Sequence, residues 1–373
     1  MTLICLVSGQ LAPNLLSVLH FKPDEVVLVC TSDSRDLAER FKDLLISKYQ
    51  FESVHISETN PFHLSEIQES AVKLAEQFKA RKMILNYTGG TKPMSVGFVN
   101  VFSKLGTDLL YTDSQQECFW LSKNNEVLEI PFDFRFNLQT MFELKDVVIK
   151  SQADVRVLEN MKSFTDFIFQ EKQKEKESLI YEVFDNAVKV RINRKNLATW
   201  NPDLQFSGFE IKTISDQKIS VTWNEETFIQ KKKNFWLEYF SGGWFEQWCY
   251  MVLNDSGDFD DVQCNIKIRP NTNSHPKGLK NEIDVAAISN GRPLFVECKT
   301  GNIDQKSITN LKAVMDYYGP KYSQGILISL WPLRRNQEVL REKLSDYNIS
   351  LIEGPDMLEE KLIEISNEII LKL

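Results

Sequence analysis

The sequence predicts an α/β protein with a doubly wound parallel sheet at its start, a middle connecting module and a second α/β unit at its end. Short apolar runs alternate with helical patterns over the first third of the chain, as in a parallel sheet covered on both faces. The length of 373 residues exceeds what one hydrophobic core usually supports. A charge-dense run, EKQKEKES, is followed by short strand-like segments. We therefore expect domains at residues 1–137, 138–235 and 236–373.

The first domain is predicted to hold parallel strands connected by helices, with an appended hairpin. The predicted strands are TLICLVS, EVVLVCTS, SVHIS, KMILNY and DLLYTDS, and the helices end at His20 or run over 34–49, 63–79 and 93–105. Segments 116–121 and 126–130, split by a Lys-Asn-Asn turn, predict the hairpin.

The rest of the chain is predicted in two steps. Residues 138–178 show a helical pattern, and LIYEVF, VKVRIN, FEIKTI and KISVTW then predict short strands, for which a winged-helix arrangement is one option. After Lys231 a helix containing GGWFEQWCYMVLN is followed by strands and helices.

The composition excludes several classes of protein. A net charge of −8 and a pI near 5.3 argue against coating duplex nucleic acid through a bulk positive field, although a local basic channel is compatible with them. The runs Lys231 to Lys233 and Arg334 to Arg335 are either solvated surface or phosphate contacts. No apolar run reaches 18 residues and the start lacks a secretory pattern, so we expect a non-secreted protein without membrane spans. Six single cysteines without CxxC spacing predict reduced thiols in a cytoplasm.

Polar loops follow the predicted parallel strands at the sheet edge where ligands usually bind. They contain Ser8 and Gly9; Thr31, Ser32, Asp33 and Arg35; Thr88, Gly89, Gly90, Thr91 and Lys92; and Asp113. The two glycines allow close backbone approach, the helix from Pro93 offers free amides to a phosphate, and Lys92 adds a positive charge. The pattern is neither a Walker A loop nor a Gly-x-Gly-x-x-Gly fingerprint. The alternative interpretation is an ordinary strand-to-helix turn.

The segment NYTGGTKPMSVG resembles the signature of the CARF domain, the Rossmann-like sensor of cyclic oligoadenylates in type III CRISPR systems, and the resemblance covers about residues 1 to 135. It implies a homodimer that holds a two-fold symmetric cyclic oligoadenylate across its axis. The polar loop residues would then bind the ring, with Met94 beneath it. An isologous interface suits such a ligand because it presents the same patch twice.

The segment NEIDVAAISNGRPLFVECKTG predicts a hairpin around Asn290-Gly291. A two-residue turn there places Asp284 opposite Glu297 and Glu282 opposite Lys299, with Glu297 and Lys299 on one face. Two facing carboxylates require a cation, and hard oxygen ligands favour Mg²⁺ or Mn²⁺. This pattern indicates metal-dependent phosphodiester hydrolysis. The alternative is an amphipathic hairpin with a Glu/Lys solvent face.

Asp284, Glu297 and Lys299 resemble the motif of the PD-(D/E)XK restriction-endonuclease-like family, with Ile283 in place of its proline, over about residues 236 to 330. The resemblance implies that Asp284 and Glu297 bind the metal, with the Cys298 carbonyl as a third ligand. Lys299 would position or activate water, and Glu246 in GGWFEQW would complete the metal shell. Glu282 is a further candidate, and His275 is not expected to be a ligand. Four aromatic residues either pack in the core or stack on bases, namely Trp244, Trp248, Tyr317 and Tyr318.

Together the two halves resemble the CRISPR ancillary nucleases that join a CARF sensor to a restriction-like nuclease. This resemblance implies an antiviral homodimer that is activated by cyclic tetra-adenylate and cleaves single-stranded RNA, DNA or both, or nicks duplex DNA. One rival is a ligand-sensing regulator whose middle module binds DNA. A second rival is an enzyme that cleaves the cyclic ring itself.

Overall fold

The structure is a computed structural model of a mixed α/β chain, so the predicted fold class is confirmed. The described residues are 1–113, 118–124, 126–131, 135, 137–174, 177–192, 200–206, 208–215, 218–230, 233–270, 282–289, 291–319, 323–333 and 338–371.

The N-terminal sheet has the predicted doubly wound arrangement. Its strands are β1 (Thr2–Leu6), β2 (Glu25–Cys30), β3 (Val54–Glu58), β4 (Met83–Asn86), β5 (Asp108–Asp113), β6 (Cys118–Lys123) and β7 (Glu126–Pro131). The order is β3-β2-β1-β4-β5-β6-β7, with β1 to β5 parallel and the hairpin β6–β7 antiparallel at one edge. The reversal of order between β1 and β4 creates the crevice where such sheets bind ligands.

Helices cover both faces of this sheet because its central strands are apolar on both sides. The helices are α1 (Ala12–Phe21), α2 (Arg35–Ser47), α3 (Leu64–Phe78) and α4 (Lys92–Lys104). Leu3 and Cys5 of β1 share a core with α1 and α2, whereas Ile4 and Leu6 share another with α3 and α4.

The described residues in the middle of the chain form helices, a single strand and an antiparallel sheet. The helices are α5 (Leu138–Leu144), α6 (Val155–Asn160), α7 (Lys162–Gln173) and α8 (Tyr181–Ile192), and the strand β8 (Val147–Ser151) lies between α5 and α6. The sheet has the order β12-β11-β10-β9, with strands β9 (Leu204–Phe206), β10 (Phe209–Ser215), β11 (Lys218–Trp223) and β12 (Glu226–Gln230).

Two expectations for this middle part are wrong. The segments LIYEVF and VKVRIN were expected as strands, but their residues from 181 to 192 belong to α8, whose buried residues recur at helical spacing, namely Val183, Phe184, Ala187 and Val190. Residues 138–178 were expected to be helical throughout, but they include β8. The strands expected at FEIKTI and KISVTW are confirmed as β10 and β11.

The C-terminal sheet is mixed. Its elements are α9 (Lys233–Glu238), a π-helical turn (Tyr239–Gly243), α10 (Trp244–Ser256), β13 (Asp261–Pro270), β14 (Glu282–Ser289), β15 (Arg292–Lys299), α11 (Gln305–Tyr318), β16 (Gln324–Ser329), α12 (Glu338–Asp346), β17 (Ile349–Glu353) and α13 (Leu358–Leu371). The strand order is β17-β16-β15-β14-β13-β8. The sixth strand, β8, therefore comes from the range that we assigned to the connecting module, and the domain boundaries themselves stay predictions.

Two apolar cores tie the parts together. One joins α2 and α5 to one face of the C-terminal sheet, and the other joins the middle module to α10 and the opposite face. All six cysteines are buried and none forms a disulfide. Within the described ranges, the helices are too short or too polar to cross a bilayer.

Candidate functional site

The polar loops of the first domain lie together at the carboxyl edge of the parallel strands. We use "strand-end loops" for residues 8–9, 31–35 and 88–92, which follow β1, β2 and β4. A Cβ on Gly89 would lie 2.1 Å from the carbonyl oxygen of Leu6 and 3.4 Å from Ser8 Oγ. Only glycine fits there, and the absence of a side chain allows the first and fourth loops to touch. Gly90 has φ +80°, which also favours glycine.

A buried polar network holds the fourth loop. Asn86, at the end of β4, is fully buried and its Nδ2 donates to Ser17 Oγ at 2.7 Å and Asn14 Oδ1 at 3.2 Å. Its Oδ1 accepts from both the amide and the hydroxyl of Thr88, at 3.1 and 2.7 Å. The backbone amide of Thr112 in turn donates to Thr88 Oγ1 at 2.7 Å. Thr88 is therefore held in place by its hydrogen bonds to the protein. The role of Asn86 was not predicted, because one Asn at the end of an apolar strand is not part of a recognisable sequence pattern.

The fourth loop leads into the start of α4. Thr91 caps this helix by accepting from the Met94 amide at 3.2 Å, and its hydroxyl donates to the Pro61 carbonyl at 2.6 Å. Lys92 is exposed and, within the described residues, forms no ion pair. Met94 is fully buried below Gly90, so it supports the loop instead of facing solvent.

The second loop is a short 3-10 turn, Ser32–Ser34, closed by a reciprocal capping box between Thr31 and Ser34. Ser32 and Asp33 are exposed, whereas Thr31 is 6% exposed. Arg35 pairs with Glu58 at 3.0 Å, and this hydrogen bond raises the pKa of the guanidinium.

Asp113 ends β5 and accepts from Trp120 Nε1 on the neighbouring hairpin at 3.4 Å. It therefore lies at the same edge as the strand-end loops but is engaged with β6. All thirteen predicted ring-binding residues fall on or directly below this edge, and their roles stay predictions.

The hairpin β14–β15, here called the acidic hairpin, has the predicted register. Ser289 pairs with Arg292 and Val285 with Val296, so the next pair along is Asp284 with Glu297. Asn290 lies outside the described residues, and Gly291 has φ 76°, as a tight two-residue turn requires.

Both carboxylates of the acidic hairpin are buried and compensated by hydrogen bonds. Asp284 is 8% exposed and its Oδ2 accepts from the Cys298 amide at 2.9 Å. Glu297 is 5% exposed and its Oε1 accepts from Lys299 Nζ at 2.7 Å. The expected contact of Glu297 and Lys299 on one face is therefore present. These bonds offset part of the cost of burying the two charges.

The acidic hairpin forms one wall of a cavity of about 580 Å³. Glu246, in the first turn of α10, reaches this cavity, as do Asp284 and Lys299. Glu282 also lines it, but it pairs with Lys267 of β13 at 3.6 Å rather than with Lys299. Glu297 does not line the cavity and borders it through Lys299.

The negative charges of Glu246 and Asp284 converge on two thiols. Burial is the main reason why the pKa of Cys298 and Cys264 is raised, and both carboxylates raise it further. The Cys298 thiol is therefore protonated and is no nucleophile. Its backbone is the relevant part, since the amide already binds Asp284.

The carboxylates at the acidic hairpin are the candidate ligands for a metal ion. Among the described residues, no three His, Cys, Asp or Glu side chains lie close enough to form a ready-made centre. The donor set nevertheless suits a hard divalent cation in its chemistry, because carboxylate oxygens and a strand carbonyl are what Mg²⁺ and Mn²⁺ prefer. The chemical type of the donor atoms therefore suits a divalent cation. In this structure Glu297 accepts a hydrogen bond from Lys299.

The aromatic and basic residues singled out in the sequence differ in their burial. Trp244, Trp248 and Tyr318 are buried and pack in the core, whereas Tyr317 is 42% exposed. Lys233 was expected in a surface run, but it is fully buried and donates to Asn201 Oδ1 at 2.8 Å. His275, Lys231, Lys232, Arg334 and Arg335 lie outside the described residues.

Two family models match the chain in the predicted order. The Card1 CARF domain matches residues 2–140, and the Card1-like endonuclease domain matches residues 234–369. The chain belongs to the Card1-like family. Its N-terminal part is thus a CARF domain and its C-terminal part an endonuclease domain, which confirms the family resemblance drawn from the sequence. A comparison with curated proteins found no match.

Solved structures resemble this Card1-like chain over almost its whole length. Can2 from Sulfobacillus thermosulfidooxidans, in complex with cyclic tetra-adenylate, is 19% identical with a TM-score of 0.71, covering 97% of this chain and 98% of that one. VC1899 from Vibrio cholerae is 16% identical with a TM-score of 0.76, covering 98% and 97%. A type III CRISPR defence DNA nuclease activated by cyclic oligoadenylate is 16% identical with a TM-score of 0.56, covering 97% and 51%. At these identities the likeness shows the fold alone.

Proposed function

We propose that this protein is a metal-dependent endonuclease of type III CRISPR antiviral defence that cyclic tetra-adenylate activates. The observation that carries the proposal is the acidic hairpin, where buried Asp284 and Lys299 line one cavity with Glu246 and buried Glu297 accepts a hydrogen bond from Lys299. Burying charged groups costs free energy, and clusters of such groups in a cavity are frequent at functional sites.

The proposed metal ligands are Asp284, Glu297 and the Cys298 carbonyl, with Glu246 completing the shell. The N–H and C=O of one strand residue point to the same side, and the Cys298 amide already faces Asp284. When bound, Mn²⁺ or Mg²⁺ would polarise a phosphodiester and supply a nucleophilic water. Lys299 would then hold that water or a phosphate oxygen, and Glu297 keeps its ammonium in place.

The strand-end loops are the proposed ring site. They offer the exposed Lys92 and the positive dipole end of α4, and Gly89 allows the first and fourth loops to touch. The complex of Can2 with cyclic tetra-adenylate supports this choice of ligand because the two folds correspond over nearly their full lengths.

A homodimer is part of the proposal. Phe62, Leu64 and Val96 are 72%, 43% and 57% exposed and lie beside the fourth loop, where Thr91 bonds to Pro61. Exposed apolar residues of this size suit an interface between two copies. A two-fold axis there would place both sets of strand-end loops around one symmetric ring.

The proposed substrate is single-stranded RNA, DNA or both, or duplex DNA that is nicked, and the proposed location is the cytoplasm. The domains would divide the work, with residues 1–137 sensing the ring, 138–235 connecting and 236–373 cutting.

A cleavage assay tests this function. Purified protein is incubated with labelled RNA and DNA oligonucleotides and Mn²⁺, with each cyclic adenylate added in turn. We expect strand scission that needs both cyclic tetra-adenylate and the metal, and that EDTA stops. Linear adenylate products in EDTA would instead favour a ring-degrading enzyme, and metal-independent, sequence-selective DNA binding without scission would favour a regulator.

A further inference from the structure

One face of α8 forms the wall of the cavity opposite the acidic hairpin. Tyr181, Asp185, Val188 and Arg191 line the cavity from this helix, at spacings of four and three residues. Such spacing places them along one side of a helix. The wall belongs to the middle module, for which the family models assign no role.

Arg191 lies in the last turn of α8, next to the π-helical turn that precedes α10. Its Nη1 donates to Ser241 Oγ at 3.0 Å, and Ser241 Oγ donates to the Glu238 carbonyl at 3.1 Å. Gly242 has φ +148°, a conformation that favours glycine, and a Cβ there would lie 3.6 Å from Thr300 Oγ1. The guanidinium is thus held over the cavity by a backbone turn that touches the end of the acidic hairpin.

The charges on the two walls are of opposite sign. The hairpin side presents Glu246 and Asp284, with Glu282 paired to Lys267 and Lys299 paired to Glu297. Arg191 has a neutral hydroxyl partner and forms no ion pair with a carboxylate of the described residues. Asp185 on the same wall is paired with Lys189 at 2.5 Å, which offsets its charge. Arg191 therefore keeps a charge that a phosphate can use, in the bidentate geometry that guanidinium groups favour.

We propose that Arg191 binds a phosphate of the nucleic-acid strand next to the one being cut, so that α8 is the second wall of the substrate groove. This inference rests on the proposed function, because it places the scissile phosphate at the acidic hairpin. Arg191 holds the strand from one side while the catalytic groups act from the other.

The test compares Arg191→Gln with Arg156→Gln, a matched change of an exposed arginine on α6 that does not line the cavity. Binding of a fluorescent oligonucleotide is measured by anisotropy in EDTA, which prevents cleavage, over a series of salt concentrations. We expect Arg191→Gln to weaken binding about tenfold and to reduce the slope of log affinity against log salt by about 0.7. Arg191→Lys should keep the slope, and in the cleavage assay Arg191→Gln should raise KM more than it lowers kcat.

The outcomes separate the two claims. If the wild type cleaves but Arg191→Gln binds with unchanged affinity and slope, or if Arg156→Gln weakens binding equally, the role of Arg191 is wrong. If the wild type binds oligonucleotides through Arg191 but cleaves no oligonucleotide with any activator or metal, the proposed nuclease function is wrong. The role of Arg191 in binding the strand would still hold.

Discussion

Lys299 compensates the charge of Glu297 and is also the proposed catalytic amine. Its ammonium lies 2.7 Å from Glu297 Oε1, and Glu297 is almost fully buried. Asp284 receives its own donor from the Cys298 amide. The two carboxylates can therefore face each other across one hairpin without a metal, and a metal would find both of them already oriented.

Lys299→Met should abolish cleavage while leaving ring binding intact, because the change removes the amine but not the strand-end loops. We expect a loss of at least about 100-fold in rate, as for the removal of one acid–base or charge-stabilising group. Lys92→Ala should instead lose ring binding and, as a consequence, the cleavage that the ring stimulates.

Ring binding is measured by calorimetry and cleavage with labelled oligonucleotides, and circular dichroism checks that both variants fold. Lys312→Met changes a half-buried lysine on α11 that pairs with Asp316 of the same helix; it serves as the control and should match the wild type. Loss of both activities in folded Lys299→Met protein would contradict the division of labour.

The residues show what sequence can and cannot predict. The pairing of Asp284 with Glu297 follows from counting outward from Asn290-Gly291, since a two-residue turn fixes the register. The burial of Lys233 does not follow from sequence, because a lysine in a basic run gives no sign of the distant Asn201 that binds it.

At the scale of elements, the turn from α7 into α8 is anchored by one buried carboxylate. Glu171 is 3% exposed and accepts from the Leu179 amide at 2.9 Å, from Ser178 Oγ at 3.2 Å and from Lys174 Nζ. Burial raises its pKa, but these hydrogen bonds and the Lys174 charge outweigh burial and lower the pKa below the ordinary value of 4.5. This anchor fixes where the cavity wall begins.

Glu171→Ala should destabilise the protein by about 2 kcal/mol, because it leaves a buried amide without its acceptor. Since the folded pKa is lower than the unfolded one, this stabilisation is present above about pH 4.5 and is lost as the pH falls through the folded value. Urea denaturation at pH 7 and below pH 4 measures both effects. Glu177→Ala, at an exposed position in the same turn, should change stability by less than about 0.5 kcal/mol. Equal effects of the two changes would contradict the anchor.

Helix α8 was missed for a physical reason. The segment LIYEVF, which runs into the start of α8, is β-branched, aromatic or apolar except for Glu182 and therefore fits a strand. The helical spacing from Val183 to Val190 shows only over a longer window. The first domain was predicted well because its strands and helices alternate at lengths that leave little ambiguity.

At the scale of the whole molecule, α2 connects the strand-end loops to the C-terminal sheet. It begins at Arg35, in the second loop. Arg40 in its middle pairs with Asp146 between α5 and β8, and Lys48, directly after its end, pairs with Glu143 of α5. The Leu138 amide of α5 then donates to Asp261 at the start of β13, at 2.9 Å. Strand β13 pairs with β14, which carries Asp284.

We expect the double change Arg40→Gln and Lys48→Gln to reduce the stimulation of cleavage by the ring at least about fivefold, the lower end of typical coupling between sites. Ring affinity should change little, because neither residue lies in the strand-end loops. The control is Lys79→Gln, which removes an exposed ion pair on the opposite face. Unchanged stimulation in the double variant would exclude this route.

This connection was only partly visible in the sequence. The sequence analysis assigned residues 138–235 to a connecting module, and α5 lies in that range. The addition of β8 to the far edge of the C-terminal sheet was not predictable, because β8 and β13 pair across more than 100 residues of chain.

We propose that the acidic hairpin binds one divalent ion. Calorimetric titration of Mn²⁺ into the ring-bound protein measures this binding, with Asp284→Asn as the comparison. We expect one ion bound per chain in the wild type and none at this site in the variant. No manganese uptake by the wild type, or equal uptake by Asp284→Asn, would contradict it.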